Sequence, residues 1–142
     1  MSGFRPSFLL VEDTLLDQFA VERGLREVAP DATLHVTRTA TDALMRLRAA
    51  NPPLRVQGQP LVILLDLSLP GMDGHGFLDE LRTDPLLYDL PVFVLTTSSA
   101  RRDVERAYAR QVAGYIVKGD FSSSFRRAAR LLADYVAIVE LP

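Results

Sequence analysis

Leu61-Val62-Ile63-Leu64-Leu65-Asp66-Leu67-Ser68-Leu69-Pro70-Gly71-Met72-Asp73-Gly74 is the stretch from which the rest of the chain is read. Its five leading apolar residues, Leu61 to Leu65, lie between Pro60 and the Pro70-Gly71 breaker. An apolar run that short, closed by breakers, fits a strand buried on both faces better than a helix. It ends in a carboxylate, Asp66, at the carboxyl end of the strand, the edge where ligands and chemistry collect in open α/β sheets. A carboxylate that merely caps a loop accounts for Asp66 equally well at this point, so the other strand ends must decide.

Working outward, Phe8-Leu9-Leu10-Val11 is a second short apolar run, and it too ends in carboxylates, Glu12 and Asp13. Residues 14–27 carry Leu15, Leu16, Phe19, Ala20 and Leu25 at helical spacing. Thr33 to Thr37 alternates and is rich in β-branched residues, as a strand does. Thr39 or Thr41 caps a helix to about Ala50, with Ala43, Leu44 and Leu47 inward. Residues 74–82 read as a helix with Phe77, Leu78 and Leu81 inward. Pro91 to Leu95 is a fourth strand, running into Thr96-Thr97-Ser98-Ser99. A polar helix over 101–110 has a thin apolar face of Val104, Ala107 and Tyr108. Tyr115 to Val117 is a fifth strand, ending at Lys118, and a last helix runs from Ser122 to about Val139. Strands alternating with helices in this way predict a parallel sheet covered on both faces.

Composition narrows the function. The 142 residues suffice for one domain with a substantial core. A net charge of −2 supplies no basic field for nucleic acid. The absence of cysteine removes disulfides, zinc–thiolate sites and cysteine nucleophiles. No apolar run approaches the ~20 residues of a membrane span, and no signal peptide opens the chain, so a cytoplasmic protein without membrane contact is expected. Of 16 basic residues, Lys118 alone is lysine. A compact ammonium is kept there in a chain that elsewhere uses the broad arginine fork.

In a parallel sheet all carboxyl ends share one edge, which gathers Glu12, Asp13, Asp66, Thr96 and Lys118. Three carboxylates at one edge repel and raise the cost of ionising together. A hard divalent cation relieves this, and magnesium, with few protein oxygens and several waters, suits the set, the Ser68 carbonyl being a further candidate ligand. A cation, Lys118 and the Thr96 hydroxyl together equip the edge for phosphoryl transfer, with Asp66 as nucleophile.

These strand ends resemble a known family. Residues 9–13 (Leu-Leu-Val-Glu-Asp), 65–74 (Leu-Asp-Leu-Ser-Leu-Pro-Gly-Met-Asp-Gly), 91–98 (Pro-Val-Phe-Val-Leu-Thr-Thr-Ser) and 114–118 (Gly-Tyr-Ile-Val-Lys) are similar, in order, to the motifs of two-component response-regulator receiver domains. The resemblance covers about residues 7–139. It implies a flavodoxin-like five-stranded parallel sheet of order 2-1-3-4-5. It implies that a histidine kinase phosphorylates Asp66, with magnesium held by Asp13, Asp66 and the Ser68 carbonyl and with Glu12 acting through metal-bound water. Thr96 and Tyr115 match the family's switch pair. The usual proline after the lysine is replaced by Gly119, so a trans bond or a rearranged loop is expected. That departure, the Leu-Thr-Thr-Ser strand end and the closing Glu140-Leu141-Pro142 are similar to receivers that serve bacterial phytochrome kinases.

In the last helix, Phe121, Phe125, Ala128, Leu132, Val136 and Val139 form a stripe for the sheet, while Leu131, Tyr135 and Ile138 form a second one. The second stripe reads as a homodimer surface, together with the tail from Ala137 to Pro142; a broad core-facing stripe is the other reading. A stand-alone phosphoacceptor is expected, with output through a dimer or a phosphotransfer protein and no chemistry beyond slow self-catalysed phosphotransfer and hydrolysis. The rivals are an aspartate-nucleophile phosphatase, which needs an acid where Ser68 stands, and a metal-free pseudo-receiver used only for binding. If the solitary lysine is retained for its shape, Lys118→Arg will impair magnesium-dependent labelling by acetyl phosphate despite conserving charge, and labelling at the wild-type rate would refute the argument.

Overall fold

The computed structural model describes residues 5–119 and 121–142, and side chains outside 121–124. Five strands, β1 (Ser7–Val11), β2 (Thr33–Thr37), β3 (Leu61–Leu65), β4 (Val92–Thr96) and β5 (Gly114–Val117), alternate with five helices. The helices are α1 (Leu15–Val28), α2 (Ala40–Arg48), α3 (Gly74–Thr83), α4 (Arg101–Ala109) and α5 (Phe121–Ile138). All strand pairings are parallel, in the order β2-β1-β3-β4-β5. This is the doubly wound sheet expected from the alternation of apolar runs and helical stripes.

Strand alternation sorts the core into two layers. On one face Leu9, Val11, Ile63, Leu65 and Val94 meet α2, α3 and Ala107 of α4. On the other face Phe8, Leu10, Val62, Leu64, Phe93 and Leu95 meet Val21 and Leu25 of α1 and Phe125, Ala129, Leu132 and Val136 of α5. Each such side chain, once fully buried, contributes roughly 1.5–3 kcal/mol of apolar transfer. β1, β3 and β4 are buried along their whole length, whereas the edge strand β2 is only partly covered. That burial explains why the three read as unbroken apolar runs.

Two helix caps follow from short polar side chains. Thr39 accepts from the Asp42 amide and Asp73 from the Gly76 amide, satisfying the first turns of α2 and α3. Gly74 has a steric cause: a Cβ there would lie 2.6 Å from the Leu67 Cα and 2.7 Å from the Asp66 carbonyl oxygen. The start of α3 thus rests directly on the backbone that carries Asp66, and the Gly74 amide donates to the Leu67 carbonyl.

The apolar stripes are not all spent on the core. In α1 the buried residues are Val21, Gly24 and Leu25, while Leu15, Leu16 and Phe19 are exposed. Of the thin face of α4, Ala107 is buried, Val104 half-buried and Tyr108 exposed. Val139, expected in the core stripe, lies just past the end of α5 and is exposed, while Tyr135 turns inward, its ring edge-to-face with Phe93 at 4.9 Å between centroids, leaving Leu131 and Ile138 exposed. The helix α5 begins at Phe121, one residue before the expected Ser122, and the Phe121 side chain expected in the core stripe lies outside the described residues. Lys118–Gly119 is a trans peptide.

Candidate functional site

Register places the site. Val11 of β1 pairs with Leu65 of β3, so the next residues, Glu12 and Asp66, leave the sheet side by side. The Asp66 amide donates to the Val11 carbonyl and the Glu12 amide to that of Thr37, continuing the ladders one step past the strands. At the other end of the sheet Thr96 of β4 pairs with Val117, and the Lys118 amide donates to the Thr96 carbonyl at 2.7 Å. Four polar residues at this edge, Glu12, Asp66, Thr96 and Lys118, are buried.

One ammonium organises the carboxylates. Lys118 Nζ lies 2.6 Å from Glu12 Oε1, 2.8 Å from Asp17 Oδ2 and 3.4 Å from Asp66 Oδ2. Glu12 Oε2 in turn accepts from both the amide and the hydroxyl of Thr14, each at 3.2 Å, which orients it at the mouth of α1. Asp66 Oδ1 accepts from the Ser68 amide at 3.2 Å. Oxygens of Glu12, Asp13 and Asp66 all lie within 4.8 Å of one another.

The electrostatics follow from burial. Desolvation pushes the Glu12 carboxyl above its ordinary value, and the Lys118 ammonium only partly offsets this. Burial alone would lower Lys118; hydrogen bonds to Asp17 and Glu12 and the Asp66 charge outweigh it and hold the ammonium above its ordinary value. Among the described residues this cluster sets four carboxylates, Glu12, Asp13, Asp17 and Asp66, against the one ammonium. Such an excess of negative oxygen donors fits a hard divalent cation.

Thr96 is wholly buried, and its hydroxyl oxygen accepts weakly from the Ser98 amide at 3.4 Å. Tyr115, half-buried, donates its hydroxyl to the Ser98 carbonyl at 2.9 Å. Burial raises the Tyr115 phenol, the Ser98 hydrogen bond opposing it. Leu131, Tyr135 and Ile138 belong to α5 and take no part in this cluster.

Sequence reasoning missed Asp17. It follows Asp13 by four residues, one helical turn, and that spacing could have placed it beside the strand end. It also missed the side chains beside the loop between β4 and α4: His75 of α3 and Asp103 of α4, 28 residues apart in sequence and 3.1 Å apart in space. Their pairing depends on two helices packing together, which no local pattern announces.

Comparison with known proteins shows what the chain is similar to. The family model of the response regulator receiver domain matches residues 8–127. The response regulator Rcp1 of Synechocystis sp. is 33% identical over 139 residues, covering 94% of this chain and 91% of its own. The crystal structure of the phosphorylated cyanobacterial phytochrome response regulator RcpA superposes with a TM-score of 0.84 at 28% identity, covering 97% of this chain and 99% of that one. The Mn(2+)-bound form of Rcp1 superposes with a TM-score of 0.80 at 31% identity, covering 96% and 99%.

Removing the ammonium tests the electrostatic account. Lys118→Met leaves Glu12, 1% exposed, without its counter-charge, and is expected to cost about 3 kcal/mol of stability at pH 7 in metal-free buffer. Because folding raises the Glu12 value, its contribution is fully present below 4.5 and is lost as pH rises through the higher folded value. The deficit of Lys118→Met relative to wild type should therefore shrink as pH is lowered from 7 towards 4.5, measured by urea denaturation. A deficit that is constant or grows on acidification would contradict this account.

Proposed function

The chain belongs to the response-regulator receiver family, close to its phytochrome-associated members, and from that premise we propose that Asp66 accepts the phosphoryl group from a histidine kinase. The protein is a phosphorylation-activated signalling switch. The observation that carries the assignment of Asp66 is convergence: it ends a fully buried strand, 3.4 Å from the Lys118 ammonium and within 4.8 Å of Glu12 and Asp13 oxygens.

In the proposed reaction a carboxylate oxygen of Asp66 attacks the phosphorus of a phosphorylated imidazole. The P–N bond breaks, its electron pair returning to the ring nitrogen, and an acyl phosphate forms on Asp66. Lys118 turns part of its charge from Glu12 and Asp17 to a phosphoryl oxygen, and the Thr96 hydroxyl donates to another. Asp13, Asp66 and the Ser68 carbonyl would hold magnesium, with Glu12 reaching it through water. When bound, the ion neutralises charge on the transferring oxygens. Support for a divalent ion comes from the carboxylate excess and from Rcp1, whose structure is described as Mn(2+)-bound. Thr96 and Tyr115 act as the switch pair. Beyond this transfer the chain would do no more than hydrolyse its own acyl phosphate slowly.

The kinase partner, by analogy with RcpA a phytochrome, would dock on the exposed face of α1. Leu15, Leu16 and Phe19 lie there, just past Thr14, which is bonded to Glu12 at the mouth of the site. Exposed apolar residues bordering a buried acceptor suit a donor that must approach closely. Output would pass through protein contacts, either to a phosphotransfer protein or in a homodimer. For the homodimer, Leu131 and Ile138, seven residues apart on one face of α5, offer an apolar strip 53% and 79% exposed.

With magnesium, acetyl phosphate or beryllofluoride should modify wild type but not Asp66→Asn; labelling of Asp66→Asn, or labelling without a divalent ion, would sink the assignment. Leu16→Glu with Phe19→Glu should slow transfer from the kinase at least tenfold while leaving acetyl phosphate labelling unchanged, and an equal loss in both would reject the α1 docking face. For the dimer, light scattering at micromolar concentration should show a dimer that Leu131→Glu with Ile138→Glu converts to monomer. A wild-type monomer would dismiss it.

A further inference from the structure

The loop between β4 and α4 is tied down at Ser98. The Ser98 hydroxyl donates to Asp103 Oδ2 at 2.6 Å and accepts from the Ala100 amide at 3.2 Å. The other Asp103 oxygen meets His75 Nε2 at 3.1 Å, and the Tyr115 hydroxyl donates to the Ser98 carbonyl. A carboxylate only accepts, and the Ser98 and His75 hydrogen bonds hold Asp103 below its ordinary value, so Nε2 carries the proton that bridges to it. His75 is 5% exposed, and its Nδ1 is, among the described residues, the one buried side-chain nitrogen or oxygen without a hydrogen-bond partner. An imidazole buried with one nitrogen unsatisfied is not there for packing economy, since an apolar ring would fill that volume without the cost.

The position of the bridge gives it a role. His75 follows Gly74, whose amide bonds the Leu67 carbonyl next to Asp66 and whose Cα lies against the Asp66 backbone. Asp103 lies in the first turn of α4, and Ser98 stands two residues after Thr96. Hydrogen bonds at Gly74 and at its neighbour His75, joined through the backbone between them, therefore link the loop of the proposed acceptor to the loop of the hydroxyl that would bind its phosphoryl group. For Thr96 to move towards Asp66 and donate, Ser98 must follow, and the bonds to Asp103 and Tyr115 must stretch or break.

We propose that His75 and Asp103 are positioning residues that hold the β4–α4 loop in its resting place and so restrain the uptake of a phosphoryl group at Asp66. Neither side chain needs to touch the phosphoryl group; both act through Ser98. The inference rests on Asp66 as the acceptor. The bridge adds a cost to the phosphorylated state, and its removal should make that state easier to reach.

The test compares wild type, His75→Phe, Asp103→Ala and His75→Gln, each checked for native far-ultraviolet circular dichroism. Beryllofluoride with magnesium is titrated by fluorine NMR, and acetyl phosphate labelling is followed on phosphate-affinity gels. Loss of one charge-assisted hydrogen bond predicts roughly tenfold tighter beryllofluoride binding and faster labelling in His75→Phe, and Asp103→Ala, which loses the bonds to both His75 and Ser98, should gain at least as much. His75→Gln, which can still donate to Asp103, should stay within about twofold of wild type. A purely structural role would lower thermal stability with affinity unchanged or weakened, and that result overturns the proposal, as would a His75→Gln that behaves like His75→Phe. If wild type itself fails to bind beryllofluoride, the acceptor reading falls first; if wild type binds and the variants match it, only the bridge falls.

Discussion

The Lys118 ammonium is the interaction on which the acidic edge depends. It joins carboxylates from three parts of the fold: Glu12 after β1, Asp17 in α1 and Asp66 after β3. Each pair alone would be a poor bargain, since desolvating two buried ions roughly cancels their attraction. Together they set one positive charge among three carboxylates in a largely buried pocket. In the proposed reaction the same ammonium would be shared with a phosphoryl group, so the contacts that stabilise the resting state are those the transfer would redistribute.

The sheet supplies the rigidity this arrangement needs. β3, at its centre, is buried along its full length and flanked by β1 and β4, so Asp66 leaves a strand that cannot shift without disturbing both cores. Gly74 lets the start of α3 rest on the same backbone. The β4–α4 loop is built differently. It is held by side-chain hydrogen bonds at Ser98 rather than by apolar packing, and α4 has one fully buried residue, Ala107. Few buried apolar contacts mean a low cost of local rearrangement. A fixed carboxylate at the proposed acceptor position beside a loosely packed loop suits a switch.

Much of this was legible without coordinates. Short apolar runs bounded by breakers announced the strands, and their carboxyl ends announced where Glu12, Asp13, Asp66, Thr96 and Lys118 would meet, because a parallel sheet collects such ends at one edge. The helix stripes were less informative. Leu15, Leu16 and Phe19 share the spacing of core residues yet face solvent, since periodicity reports that a face is apolar and not what covers it. Tyr135 shows the converse: grouped with exposed Leu131 and Ile138 by spacing, it reaches the core because Phe93 offers an edge for its ring.

What the sequence determined by itself was therefore local or periodic: the strands, their order of use along the chain and the residue types delivered to the edge. Tertiary structure alone decided the pairings among distant residues. Asp17 meets Lys118 across 101 positions of sequence and His75 meets Asp103 across 28, and nothing near either residue encodes its partner. Such contacts exist because helices, once packed on the sheet, bring their side chains within hydrogen-bonding reach, and packing is a property of the whole chain.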